Sequence, residues 1–145
     1  MAELLAVDSS CLVALACTWH ERHEAVAGCL ANAVGRGAPL LVPPHALIET
    51  YAVLTRLPPP HQVAPADALA FLTANANRWR TGAALSGDDT WRLLRESAEA
   101  RVAGGAAYDG LIATSARFSG ATAILTLNPR HFRRFEAAGL TVIVP

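Results

Sequence analysis

The chain has 145 residues, enough for one domain with a buried core, and its make-up of 52% apolar and 17% charged residues excludes a disordered polypeptide. Twelve basic residues balance twelve acidic ones, so no bulk positive charge marks a non-specific nucleic-acid binder, although a local patch stays open. Every basic residue is Arg, which excludes mechanisms that need a lysine.

Glu3 to Val7, apolar from Leu4 onward, reads as a buried first strand. It stops at Asp8, and Ser9 or Ser10 can cap a short helix reaching about Cys17. Trp19 to about Val34 reads as a second helix, with Ala25, Val26, Cys29, Leu30 and Ala33 at helical spacing and glycines beyond it. Leu40 to Val42 is a short second strand. Pro44 then suits the first turn of a helix to about Leu57, with Leu47, Tyr51 and Leu54 on one face. Pro58-Pro59-Pro60 is a break. Pro65 to about Asn75 is helical, with Ala68, Leu69, Leu72 and Ala76 facing inward.

Thr81 to Leu85 is the candidate third strand. Ser86 can cap a helix to about Arg101 that carries Asp88 and Asp89 in its first turn, where acids suit the helix dipole. Asp109 opens the next helix, which ends at Gly120. Thr122 to Thr126 is a fourth strand, Asn128-Pro129 begins a basic turn, and Leu140 to Val144 is the last strand. Strands alternate with helices, so a mainly parallel α/β sheet covered on both faces is expected, as a single domain over residues 1–145.

Three acids stand alone in apolar runs. Asp8 is the only charge between Leu4 and Thr18, Glu49 between Leu40 and Thr55, and Asp109 between Val102 and Ala116. Buried carboxylates are costly unless paired, protonated or bound to a cation, and none of these stretches contains an Arg. Taken singly, Asp8 or Asp109 can be a helix cap, and Glu49 a partner of His45. Taken together, the recurrence predicts that the acids meet around a cation. Hard oxygen ligands suit Mg²⁺ or Mn²⁺, and an ion so held activates water and polarises a phosphoryl oxygen. Ser10 and Thr126 follow strand ends and fall beside such a site, as supports or phosphate contacts. Arg130, Arg133 and Arg134, with Arg117 close in sequence, make a candidate basic patch for RNA phosphates or an acidic partner; a solvated basic face is the plain alternative.

Four segments resemble PIN-domain ribonucleases, and most of all the toxins of VapBC toxin–antitoxin pairs: Val7-Asp8-Ser9-Ser10, Ile48-Glu49-Thr50-Tyr51 through Leu57, Ala107-Tyr108-Asp109-Gly110-Leu111-Ile112-Ala113, and Leu125-Thr126-Leu127-Asn128-Pro129-Arg130-His131-Phe132. They follow the family's order and spacing over nearly the whole chain. The resemblance implies a five-stranded sheet of order 3-2-1-4-5 flanked by helices in three layers. It also implies Mg²⁺- or Mn²⁺-dependent RNA cleavage, a homodimer, and inhibition by a VapB-type antitoxin. It places the catalytic and metal-binding role on Asp8, Glu49 and Asp109. The family commonly carries a fourth acid after strand four; here Asn128 and His131 stand in that neighbourhood, and Asn128 can offer only a neutral carbonyl oxygen to an ion.

A catalytically weak PIN-fold protein that keeps antitoxin or RNA binding is the alternative. A phospho-accepting receiver or phosphatase is disfavoured, because Asp8-Ser9-Ser10 lacks a second acid and the chain lacks lysine. Cys17, His20, His23 and Cys29 are spaced loosely for zinc, without a paired CxxC, and read better as surface histidines beside buried thiols. Three cysteines, no signal peptide and no membrane-length apolar run predict a cytoplasmic protein without membrane attachment.

Overall fold

The computed structural model of the protein describes residues 3–145, so the first two residues of the expected domain lie outside it. Five strands form one parallel sheet in the order β3-β2-β1-β4-β5: β1 (Leu5–Val7), β2 (Leu40–Val42), β3 (Trp79–Thr81), β4 (Ala123–Leu125) and β5 (Thr141–Ile143). Every residue of β1, β2 and β4 is buried, so these strands are covered on both faces, as parallel strands require. The order reverses between β1 and β4. That reversal opens a crevice at the carboxyl ends of the strands, the usual ligand position in open α/β sheets.

The helices are α1 (Ser9–Ala16), α2 (His23–Gly35), α3 (Pro44–Thr55), α4 (Pro65–Asn75), α5 (Gly87–Glu99), α6 (Ala106–Phe118) and α7 (Pro129–Phe132), which runs into a 3₁₀ segment at Arg133–Ala138. No helix among the described residues is long and apolar enough to cross a membrane. The core joins β1, β2 and β4 to Leu12 of α1, Val26 of α2, Ile112 of α6 and Phe132 of α7.

Several boundaries differ from those expected. The α1 cap is Asp8 itself rather than a serine: its backbone is extended and its side chain accepts from Ser9 N. Residues 17–22 form turns, so α2 begins at His23 rather than near Trp19. The third strand is Trp79–Thr81 rather than Thr81 to Leu85. In parallel register Trp79 faces Leu40 and Thr81 faces Val42, after which Ser115 of α6 and Ser119 at its C-terminal cap hold Ala83 through its carbonyl and N–H. These side chains, not another strand, take over those backbone groups.

Helix α3 buries Ala46, Thr50 and Leu54 and packs Leu47, half-buried, against the core, while Tyr51 and Leu69 of α4 are exposed. Small Ala46 and Thr50 let α3 lie close to its neighbours, while Ile48 and Tyr51 turn outward. Helix α6 starts at Ala106, so Asp109 is its fourth residue, not its opener. Ser86 does cap α5, accepting from Asp89 N and donating to the Asp89 carboxylate.

Candidate active site

Asp8 ends β1 at the crevice, fully buried. Its N–H donates to Leu125 O of β4 at 3.0 Å, which ties the two central strand ends together. Oδ1 accepts from Ser9 N at 2.8 Å; Oδ2 accepts from Ser10 Oγ at 2.7 Å and Thr126 Oγ1 at 2.8 Å. The two hydroxyls in turn receive Leu127 N (3.0 Å, to Ser10) and Asn128 N (2.9 Å, to Thr126). One buried carboxylate, two hydroxyls and the first turn after β4 therefore form one network. Ser10 and Thr126 orient Asp8 from both sides, and Asp8 keeps its role as a helix cap.

Asp109 sits on the first turn of α6, and its Oδ2 lies 2.5 Å from His131 Nδ1. Its carboxyl is pushed up to about 6, from an ordinary 3.8. Burial is the main cause, the hydrogen bond from His131 opposes it, and the charges of Asp8 and Glu49 add to it. Asp109 thus lies within the field of both other acids. Glu49, half-buried on α3, has its Oε2 shielded from solvent and without a hydrogen-bond partner. The nearest cationic candidate, His45 Nε2, stands 3.5 Å away, and its ring stacks on Tyr108, the residue before Asp109.

A buried carboxylate oxygen with no donor is the kind of atom a cation satisfies. The donor set, mostly carboxylate oxygen with the Asn128 amide at the edge, suits a hard divalent ion. Among the described residues no three His, Cys, Asp or Glu side chains converge closely enough to hold one ion as they stand. An ion shared by all three acids would draw the Glu49 and Asp109 side chains inward. A cleft of about 400 Å³ opens beside Glu49, lined also by Ser10, His20, Arg22, Leu127 and Asn128; Asp8 and Asp109 do not line it.

The arginines do not form one uniform patch. Arg130 is exposed, and Arg133 is exposed and paired with Glu136 at 2.8 Å. Arg134 instead turns inward: its guanidinium lies over the Phe135 ring at 4.4 Å and fills the space that a side chain at Gly110 would take. Its Nη2 is buried without an acceptor, and burial lowers its pKa. Gly110 on α6 is the residue that admits it. Arg117 donates to Ala138 O, away from the cleft.

Cys11 and Cys17 are buried, and burial raises both thiols. His20 Nδ1 accepts from Arg22 N, and His23 Nδ1 bonds Ala14 O, so each has a local partner. The contacts of His131 with Asp109 and of His45 with Tyr108 were not foreseen. The histidine in the turn after the fourth strand was the available signal for the first.

A family model described as PIN domain matches residues 5–138. Ribonuclease VapC40 of Mycobacterium tuberculosis (strain ATCC 25618 / H37Rv) is 41% identical over 133 residues, 92% of this chain and 92% of its own length. Ribonuclease VapC27 of the same strain is 39% identical over 140 residues, 97% of this chain and 96% of its own. The solved structure of DNA-bound VapBC from Salmonella typhimurium covers 99% of this chain and 98% of its own, with a TM-score of 0.69 at 18% identity, a likeness of fold.

Proposed function

The chain belongs to the PIN-domain family, with VapC ribonucleases as its relatives, and on that premise we propose that it is a divalent-metal-dependent endoribonuclease acting as the toxin of a type II toxin–antitoxin pair. The observation that supports this reading is the buried Glu49 oxygen without a hydrogen-bond donor, on the same side of the fold as Asp8 and as Asp109, whose carboxyl feels the charges of both other acids. Asp8, Glu49 and Asp109 would hold Mg²⁺ or Mn²⁺, with the Asn128 amide oxygen in reach of the same cleft. The ion when bound supplies activation of water and neutralisation of charge on the phosphoryl group.

The chain's own residues do the rest. Ser9 N, Ser10 and Thr126 hold Asp8 in one orientation. Glu49 lines the cleft, and one of the three acids would also orient the attacking water. Arg130 and Arg133, exposed just beyond the site, supply positive charge for RNA phosphates. The relatives are ribonucleases by name, which supports RNA as substrate. The Salmonella VapBC structure supports a VapB-type antitoxin as partner. A homodimer in the cytoplasm completes the reading.

A second reading, a PIN-fold protein that binds antitoxin or RNA without cleaving, draws on the missing fourth acid and on His131 occupying Asp109. Induced expression separates the two. Growth arrest with new RNA 5′ ends, both abolished by Asp8→Asn, supports the nuclease. Arrest that persists unchanged in Asp8→Asn, without new ends, supports the binder.

A further inference from the structure

We propose that His131 supplies a nitrogen ligand to the ion that Asp109 binds, so that this site prefers Mn²⁺ to Mg²⁺, an inference that rests on the metal-site reading above. His131 is held in place by its chain neighbours. Its N–H closes a turn onto Asn128 O at 3.1 Å, and the next residue, Phe132, is fully buried and anchors α7. The imidazole is partly open to solvent while the carboxylate it touches is not: the His131 side chain is 42% exposed, that of Asp109 only 9%.

The nitrogen that faces inward is Nδ1, at 2.5 Å from Asp109 Oδ2. An ion drawn to that oxygen meets the same nitrogen once the proton between them is displaced. No acid occurs between Asp109 and Glu136, so no carboxylate in this turn competes for the place. Exchanging a carboxylate for a neutral imidazole removes one negative charge. Mg²⁺ demands oxygen ligands in near-ideal octahedral geometry and is held largely by charge, whereas later divalent ions gain more from nitrogen. Both changes weaken Mg²⁺ more than Mn²⁺. The competing role is that of a steadying neighbour, in which His131 orients Asp109 by a hydrogen bond and never touches the ion.

The test uses the purified full chain with Mn²⁺ or Mg²⁺ alone. Pulsed electron paramagnetic resonance of the Mn²⁺-loaded protein reads directly bonded nitrogen. The wild type should show a ¹⁴N coupling that is lost in His131→Gln and kept in His45→Gln, the control for the other imidazole at the site. Calorimetric titration should show the preference for Mn²⁺ over Mg²⁺ falling in His131→Asp, where a carboxylate oxygen replaces the nitrogen.

Mn²⁺ that binds through Asp109 but shows no ¹⁴N coupling in the wild type overturns the proposal, and this result needs no variant at position 131. A coupling that survives His131→Gln does the same. If Asp109→Asn binds Mn²⁺ as well as the wild type, the metal-site reading itself fails and the proposal falls with it.

Discussion

Removing the Asp109 charge should stabilise the metal-free protein, and by an amount that depends on pH. The native carboxyl holds its proton to about 6, against 3.8 in an unfolded chain. A pKa raised by folding contributes stability that is fully present below 3.8 and is lost as pH rises through about 6. Linkage with those two values gives a cost of ionisation of about 3 kcal/mol at pH 8, falling to roughly half that near pH 5 and to well under 1 kcal/mol towards pH 4. Asp109→Asn removes that cost. The amide oxygen still accepts from His131 Nδ1, while the new NH₂ donors lack an evident partner and trim the gain. Urea unfolding in EDTA should therefore show Asp109→Asn more stable than the wild type by about 1–3 kcal/mol at pH 8, with the gap closing towards pH 4. A mutant equal to or weaker than the wild type at pH 8, or a gap that does not change with pH, would refute the burial and like-charge account of this acid.

Thr126→Val keeps the shape but removes a hydroxyl that serves both Asp8 Oδ2 and Asn128 N. It should cost about 1–3 kcal/mol in urea unfolding; a loss under about 0.5 kcal/mol would show that the network is not needed. Gly110→Ala should gain about 0.5–1 kcal/mol in an Arg134→Ala background, as removal of a helix-interior glycine does, and less with Arg134 present. Equal gains in both backgrounds would place the guanidinium outside the Gly110 slot. Replacing Arg130 and Arg133 together by Ala should weaken RNA binding more at low salt than at high salt, and an unchanged salt dependence would reduce them to a solvated face.

The central strands were legible because β1, β2 and β4 are buried on both faces and read as unbroken apolar runs. The edge strand β3 was not: Arg80 and Thr81 are exposed, so neither a run nor an alternation marks it. The inward face of α3 was misread in part: Leu47 and Leu54 pack inward as expected, but small Ala46 and Thr50 are fully buried while the larger Tyr51 lies outside. The three lone acids were visible as interruptions in apolar sequence, and Ser10 and Thr126 followed from their place at strand ends. The Asp109–His131 contact was not, since it depends on how α7 docks through Phe132 onto α6, across 22 residues of sequence. Arg134 looked like part of a basic cluster, and only the bare surface of Gly110 shows why it turns inward.

The most direct test is cleavage of purified RNA by the purified chain, with Mn²⁺ or with EDTA, for the wild type and for Asp109→Asn. The wild type with Mn²⁺ should yield discrete fragments, and the other three combinations none. Fragments of the same pattern in EDTA, or from Asp109→Asn with Mn²⁺, would contradict a metal-dependent site built on Asp8, Glu49 and Asp109.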